Sequence, residues 1–413
     1  MTIRTLAAAL AASAMVPGAA LAQDTTPAGH HLIVWAGDRA KADKDFVAVI
    51  DADPASPTYG RLVTSAATDQ TSNNPHHTEY TMPESGKLFA NDHDAGRTVI
   101  LDVTNPLDIR QIAVFGNLAG FAMPHSFLRL PNGNVLSSFQ LAAPGEYTGH
   151  SGHDMMAMSG TSGGIVEIDE TGRAVRSASN ADPAFGEEGL LPYSLAVLPT
   201  IDRVLVTNSP MGNEHMLTSN TYQIFRLSDL ALLGTHRLDP GPTLNGHVAP
   251  EEPRVAADGS VYIQTLSCGM QRVTGVDTHR PAARMVHKFE GDRCGVPTIV
   301  GHYLVQSVPA IHGFVVLDIA DGENVREVSR LVIDGRYRSH WTGWDAKAQR
   351  LVVTSGQDGD RTYLLTLDQQ TGALAIDTAF CDADGKPGFS FDARAWPHGF
   401  TGAAKPHGAV FTR

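Results

Sequence analysis

The chain has 413 residues, with 31 Lys and Arg against 44 Asp and Glu, for a formal net charge of −13. Nucleic acid and anionic membrane surfaces are thereby excluded as principal partners, because both repel a strongly acidic protein. Its 40 glycines and 24 prolines call for many tight turns, so a long-helix architecture is excluded as well.

Residues 1–22 read as an export signal. Arg4 precedes the apolar run from Leu6 to Met15, and Ala20-Leu21-Ala22 forms a small-residue cleavage site before Gln23. The run is too short to span a bilayer, and no later stretch reaches the ~18 apolar residues a membrane helix needs. The expected product is a soluble periplasmic chain over residues 23–413.

From there, short runs of Val, Ile, Leu and Phe alternate with Gly, Asn, Asp and Pro, the mark of β-structure. A unit of three predicted strands recurs. It runs first through His76–Met82, Lys87–Ala90 and Thr98–Val103, then through His125–Leu130, Asn134–Phe139 and Gly164–Asp169. A third copy takes Tyr193–Leu198, Arg203–Asn208 and Tyr222–Leu227. Pro253–Ala256 and Ser260–Leu266 begin the fourth, Val296–Val300 the fifth and Trp341–Trp344 the sixth. Leu32–Trp35 and Phe46–Asp51 lack a first strand, while Gly408–Phe411 is a first strand with nothing after it. Six whole units and one assembled from both termini predict an all-β fold. It is a single seven-bladed β-propeller closed by its N- and C-terminal strands.

Cys268, Cys294 and Cys381 are odd in number, so an oxidising compartment leaves at least one unpaired. Cys268 and Cys294 fall in neighbouring repeats and are the pair best placed to bridge. Three buried free thiols is the other reading.

Innermost strands of a propeller line its central channel, and four of the predicted ones start at histidine: His76 with His77, His125, His340 and His407. Three carry a Pro-His step. The equivalent positions elsewhere are Tyr193, Glu251 with Glu252, and Thr298. The loops between second and third strands, on the same face, add His93, His150, His153, His215, Cys268 and His312. Imidazoles converging on an axis make a metal site suited to Cu, Zn, Fe or Ni. Glu251 and Glu252 are candidates to orient a ligand imidazole or to act as a base. Met155, Met156, Met158, Met211 and Met216 bring soft sulfur near imidazole, which favours copper. The structural alternative is that Pro-His marks a turn whose imidazole only bonds backbone. Trp341 and Trp344 suit packing between blades.

These residues carry a resemblance. Leu32 to Asp38, Asp45 to Asp51, and Asp53-Pro54-Ala55-Ser56-Pro57-Thr58-Tyr59-Gly60 resemble the start of the selenium-binding protein family. So do Asn74-Pro75-His76-His77-Thr78, Pro124-His125-Ser126-Phe127, Ile311-His312-Gly313 and Pro406-His407-Gly408 in their places. The family includes periplasmic methanethiol oxidases, copper enzymes that convert methanethiol, oxygen and water into formaldehyde, hydrogen sulfide and hydrogen peroxide. The resemblance implies a propeller and copper held by His76, His77, His125 and His407, to which repeat equivalence adds His340. One departure is Gly60, where selenium-linked members carry cysteine. The function expected is copper-dependent oxidation of a small thiol by oxygen. Its rivals are a metal-binding propeller without turnover and a scaffold that binds a protein on the His-rich face.

Overall fold

The computed structural model describes residues 29–71, 74–143, 162–186, 189–211, 218–241, 247–355 and 361–413. Seven antiparallel sheets form a β-propeller with almost no helix. The unit is larger than the sequence pattern suggested, because each blade has four strands. Outermost strands such as Arg110–Phe115 and Arg326–Val332 alternate between exposed and half-buried residues. They lack the continuous apolar run that flags the second and third strands, so a search for such runs passes over them.

Closure follows the expected plan. Ala404–Phe411 is the innermost strand of the last blade and pairs antiparallel with His31–Asp38, with Leu32 opposite Phe411 and Val34 opposite Ala409. Lys44–Asp51 and Leu62–Thr71 complete that blade. Alternate faces of His31–Asp38 feed two cores. Leu32, Val34 and Ala36 pack with Trp341, Phe380, Phe389 and Trp396, whereas Ile33 and Trp35 pack with Leu88 and Val99 of the next blade. The imidazole of His30 adds a buried bond to Asp345 at 2.8 Å, tying the first strand to the sixth sheet. Cys268 and Cys294 form a disulfide and Cys381 is free.

The inner strands carry the feature that builds the site. Four of them share a register shift at the channel: between Pro75 and Thr78, Pro124 and Phe127, Pro192 and Leu195, and Pro250 and Pro253. A bulge leaves residues without ladder partners and re-aims their side chains, and proline is tolerated there because an inner strand is an edge. The bulged pairs are His76-His77, His125-Ser126, Tyr193-Ser194 and Glu251-Glu252.

Buried polar side chains of the second strands repair the broken ladder. The backbone N–H of His77 donates to Asn91 Oδ1 at 2.7 Å, that of Ser126 to Ser138 Oγ at 3.2 Å, that of Ser194 to Thr207 Oγ1 at 3.1 Å, and that of Glu252 to Gln264 Oε1 at 3.3 Å. The same side chains then donate onward to the next blade. Asn91 reaches Pro124 O at 2.9 Å, Ser138 reaches Tyr193 O at 2.7 Å, Thr207 reaches Glu251 O at 2.6 Å and Gln264 reaches Cys294 O at 2.7 Å. In each of these four blades one side chain therefore satisfies a bulge and clasps its neighbour. Replacing Thr207 with the isosteric valine orphans a buried N–H and a buried carbonyl at once. Thr207→Val is expected to cost about 2 kcal/mol of stability, read as a lowered urea midpoint at unchanged slope.

Candidate metal centre

The bulges at both ends of the chain bring their imidazoles together. Ring centroids of His76 and His407 lie 4.3 Å apart, those of His76 and His77 4.2 Å, and those of His77 and His125 4.6 Å; His340 lies 4.6 Å from His407. Among the described residues, two groups could hold an ion, His76 with His340 and His407, and His76 with His77 and His125; within each, the ligand atoms lie within 4.8 Å of one another. His76 belongs to both. Glycine makes the approach between blades possible, since a Cβ on Gly408 would stand 2.7 Å from Thr78 N and 2.9 Å from His76 O.

Several ring nitrogens await a partner. The Nδ1 atoms of His76 and His407 and the Nε2 atoms of His93 and His125 are buried without a hydrogen bond. For His125 the tautomer follows from geometry. Its Nδ1 lies 2.7 Å from the carbonyl oxygen of Tyr193, which only accepts, so Nδ1 carries the proton and the Nε2 lone pair is left bare. Burial and mutual repulsion hold the imidazoles neutral: His125 is pushed down to about 3, His340 to about 4, and His76, His77 and His407 well below the ordinary range. Neutral, buried and partly unpartnered imidazoles are what a transition metal requires.

The two glutamates separate in role. Glu252 is fixed through Oε2, which accepts from Tyr80 Oη at 2.5 Å, Ser194 Oγ at 2.9 Å and Arg254 Nη1 at 3.2 Å. Its other oxygen has no hydrogen bond and faces His77 Nδ1 across 3.8 Å, beyond hydrogen-bond reach; the hydrogen bond at that nitrogen is with Ser126 Oγ at 3.3 Å. Glu251 instead lines the cavity above the histidines and accepts from Gln264 Nε2 at 3.0 Å. Burial pushes its carboxyl up to about 8, so it stands protonated at neutral pH, a proton donor rather than a base.

Other expected residues find varied places. His93 joins the cluster, 5.6 Å from His76 between ring centroids, while His312 lines the cavity and the Tyr193 ring lies 4.2 Å from that of His125, tilted by 51°. Trp341 is fully buried between blades, 5.2 Å from His77, and Trp344 packs at the edge of a neighbouring core. Met211 reaches the cavity wall. His150, His153, His215, Met155, Met156, Met158, Met216 and the signal segment lie outside the described residues. Gly60 has φ of +87°, and a Cβ there would meet Cys381 N at 2.5 Å, so no side chain fits at this position. The sequence reading missed the stack around Glu252. Tyr80 lies on Trp341 at 5.0 Å and Arg254 lies over Tyr80 at 4.0 Å; Tyr80, three residues past His77, was the available signal.

No family model matches the chain, and no curated protein is significantly similar to it in sequence. Among solved structures it resembles that of a hypothetical selenium-binding protein from Sulfolobus tokodaii. That match has a TM-score of 0.70 and 15% identity, and covers 92% of this chain and 93% of that one. It also resembles a protein from Lactobacillus plantarum, with a TM-score of 0.63 and 11% identity over 93% and 100% of the two chains. A periplasmic gluconolactonase from Pseudomonas aeruginosa matches with a TM-score of 0.59 and 13% identity over 93% and 99%. Identities this low establish the shared propeller fold and leave the chemistry to the site itself.

The buried groups set a pH profile for the metal-free protein. An unfolded chain takes up protons on histidine as pH falls through 6.5, whereas the folded cluster resists until about 3–4 at His125 and His340, so stability falls below pH 6.5. Each imidazole that stays neutral contributes a slope of about 1.4 kcal/mol per pH unit. Glu251 acts oppositely: its folded value of about 8 exceeds the unfolded 4.5, so its contribution is lost progressively as pH rises from 4.5 to 8. Five imidazoles outweigh one carboxyl below 6.5. Urea midpoints measured from pH 5 to 8.5 should peak near 6.5, and Glu251→Gln should steepen the acid side and flatten the alkaline side.

Proposed function

We propose that this protein is an exported, copper-dependent oxidase of a small thiol that uses oxygen, with copper held by His76, His77, His125, His340 and His407. The observation that carries this reading is the pair of three-imidazole groups sharing His76, buried, neutral and with ring nitrogens lacking partners. The histidine donor set fits copper, zinc, iron or nickel, and the Pro-His motifs resembling those of methanethiol oxidases favour copper among them. Bound copper would supply Lewis acidity towards a thiol and one-electron redox chemistry.

The chain's own groups supply the rest. Tyr193 O holds the proton on His125 Nδ1 and so presents Nε2 to the ion. Ser126 Oγ bonds His77 Nδ1, and Glu252, clamped by Tyr80, Ser194 and Arg254, places a negative charge 3.8 Å from the same nitrogen. Glu251 sits at the cavity with a proton on its carboxyl, placed to donate to a leaving or reduced group. The fold excludes bulk water from below, where Trp341 and Tyr80 stack under His77.

Elemental analysis of chelator-washed protein tests the reading. Wild type should retain about one copper per chain, and His76→Ala and His407→Ala should lose it. Gly408→Val keeps every imidazole yet should also weaken retention, because its side chain forces the His407 strand away from His76. Retained copper with no consumption of any thiol would mark a metal-binding protein without turnover. Wild type that holds no metal would sink the oxidase reading.

A further inference from the structure

Two aromatic rings stand in series behind the imidazoles. His76, His340 and His407 line the cavity, whereas His77, Trp341 and Tyr80 do not. Trp341 lies 5.2 Å from His77 and 6.2 Å from His407 between ring centroids. Tyr80 lies on Trp341 at 5.0 Å, the two rings only 9° from parallel. Trp341 is fully buried, and Tyr80 is half-buried with Arg254 over its ring at 4.0 Å.

Packing alone does not ask for the partner that the phenol has. Tyr80 Oη donates at 2.5 Å to Glu252 Oε2, a buried carboxylate that also accepts from Ser194 and Arg254. A buried phenol gives up an electron far more readily when its proton leaves with it, because the alternative is a radical cation in an apolar site. Glu252 can take that proton, so that phenol and carboxylate become a neutral phenoxyl radical and a carboxylic acid. Arg254 works the other way: set over the ring and bonded to the same oxygen, it makes electron loss harder. Oxidised Tyr80 is therefore a strong one-electron oxidant. The indole N–H of Trp341 donates only to Ala409 O at 3.1 Å, a carbonyl that cannot take a proton, so an electron hole passing Trp341 settles on Tyr80. Tyr59 also has a carboxylate, Asp377 Oδ2 at 2.7 Å, but its ring packs on Phe380, outside the series that leads to the imidazoles.

We propose that Tyr80, connected through Trp341 to the imidazole cluster, is the second one-electron acceptor of the centre, its phenolic proton passing to Glu252 Oε2 and back. This inference rests on the oxidase reading and completes its electron count, since copper changes by one electron and the oxidation of a thiol at carbon removes two. The thiol gives one electron to bound copper and one to the Tyr80 radical, which recovers its proton from Glu252. One C–H and one S–H bond break as a carbon–sulfur double bond forms. Dioxygen, taking two electrons and two protons to hydrogen peroxide, restores both acceptors.

Electron paramagnetic resonance of the metal-free protein, oxidised by flash-generated ruthenium(III) tris(bipyridine), tests Tyr80 without copper or turnover. A persistent tyrosyl radical should form, and 3-fluorotyrosine at position 80 should add fluorine hyperfine splitting to it. Tyr80→Phe should shorten the life of the remaining signal about tenfold or more, because radicals elsewhere meet water, whereas Tyr59→Phe should leave it unchanged. Glu252→Gln keeps the phenol but cannot take its proton, and should lower the radical yield. A wild-type signal without fluorine splitting, or one that persists equally in Tyr80→Phe, overturns the proposal. Copper-loaded protein, once oxidised, should take about two electrons per copper from ferrocyanide, against about one in Tyr80→Phe at equal copper content. Wild type that takes only one overturns the proposal and leaves copper binding intact. Protein that forms the fluorine-split radical but retains no copper supports Tyr80 as the redox group and sinks the oxidase reading alone.

Discussion

The propeller and its site both depend on one repeated interaction, the side-chain clasp between a second strand and two inner-strand bulges. Asn91, Ser138, Thr207 and Gln264 each accept the N–H that a bulge leaves unpaired; the first three donate to a carbonyl at the next bulge, and Gln264 donates to Cys294 O ahead of the fifth blade. At the closing blade, Thr354 Oγ1 donates to His407 O at 2.6 Å in the same manner. Without these bonds each bulge would bury unsatisfied backbone groups, at a penalty of about 1–3 kcal/mol apiece. With them, the inner strands can turn consecutive side chains onto the axis.

That arrangement makes the chemistry of the axis a matter of substitution at equivalent positions. The clasp tolerates histidine, tyrosine or glutamate in the bulge, because it holds backbone and not side chain. Blades one, two, six and seven present imidazole, and blades three and four present Tyr193 and the glutamates. A cluster of buried, neutral imidazoles with bare nitrogens is unfavourable in isolation, since each unpaired polar atom has lost water without compensation. In the proposed reading a metal ion would supply the missing partner. The Glu252 carboxylate is fixed on one oxygen by three donors and turns the other towards His77 across 3.8 Å.

Closure decides whether the cluster exists at all. His407 belongs to the last strand and His76 to the first whole blade, and only the pairing of Ala404–Phe411 with His31–Asp38 brings them within 4.3 Å. Gly408 permits the final contact by leaving room for the backbone of His76 and Thr78. Ring closure and assembly of the centre are therefore one event.

By itself, the sequence determined the seven-fold repeat, the split last blade and the set of histidines that meet. Second and third strands are buried on both faces and read as continuous apolar runs, while Pro-His steps mark the bulges. Outer strands stayed hidden because half-exposed edges carry weak alternation, as in Arg110–Phe115. Tertiary structure alone decided that Cys268 pairs with Cys294, that Glu251 and Glu252 face different ways, and that Tyr80 lies on Trp341 beside His77. It also turned buried polar residues such as Ser138 and Thr207, unremarkable along the chain, into clasps. The physical reason is common to all of these. Periodicity is local and leaves its trace in the order of residues, whereas hydrogen-bond partners, burial and the field at a cavity are sums over blades distant in the chain.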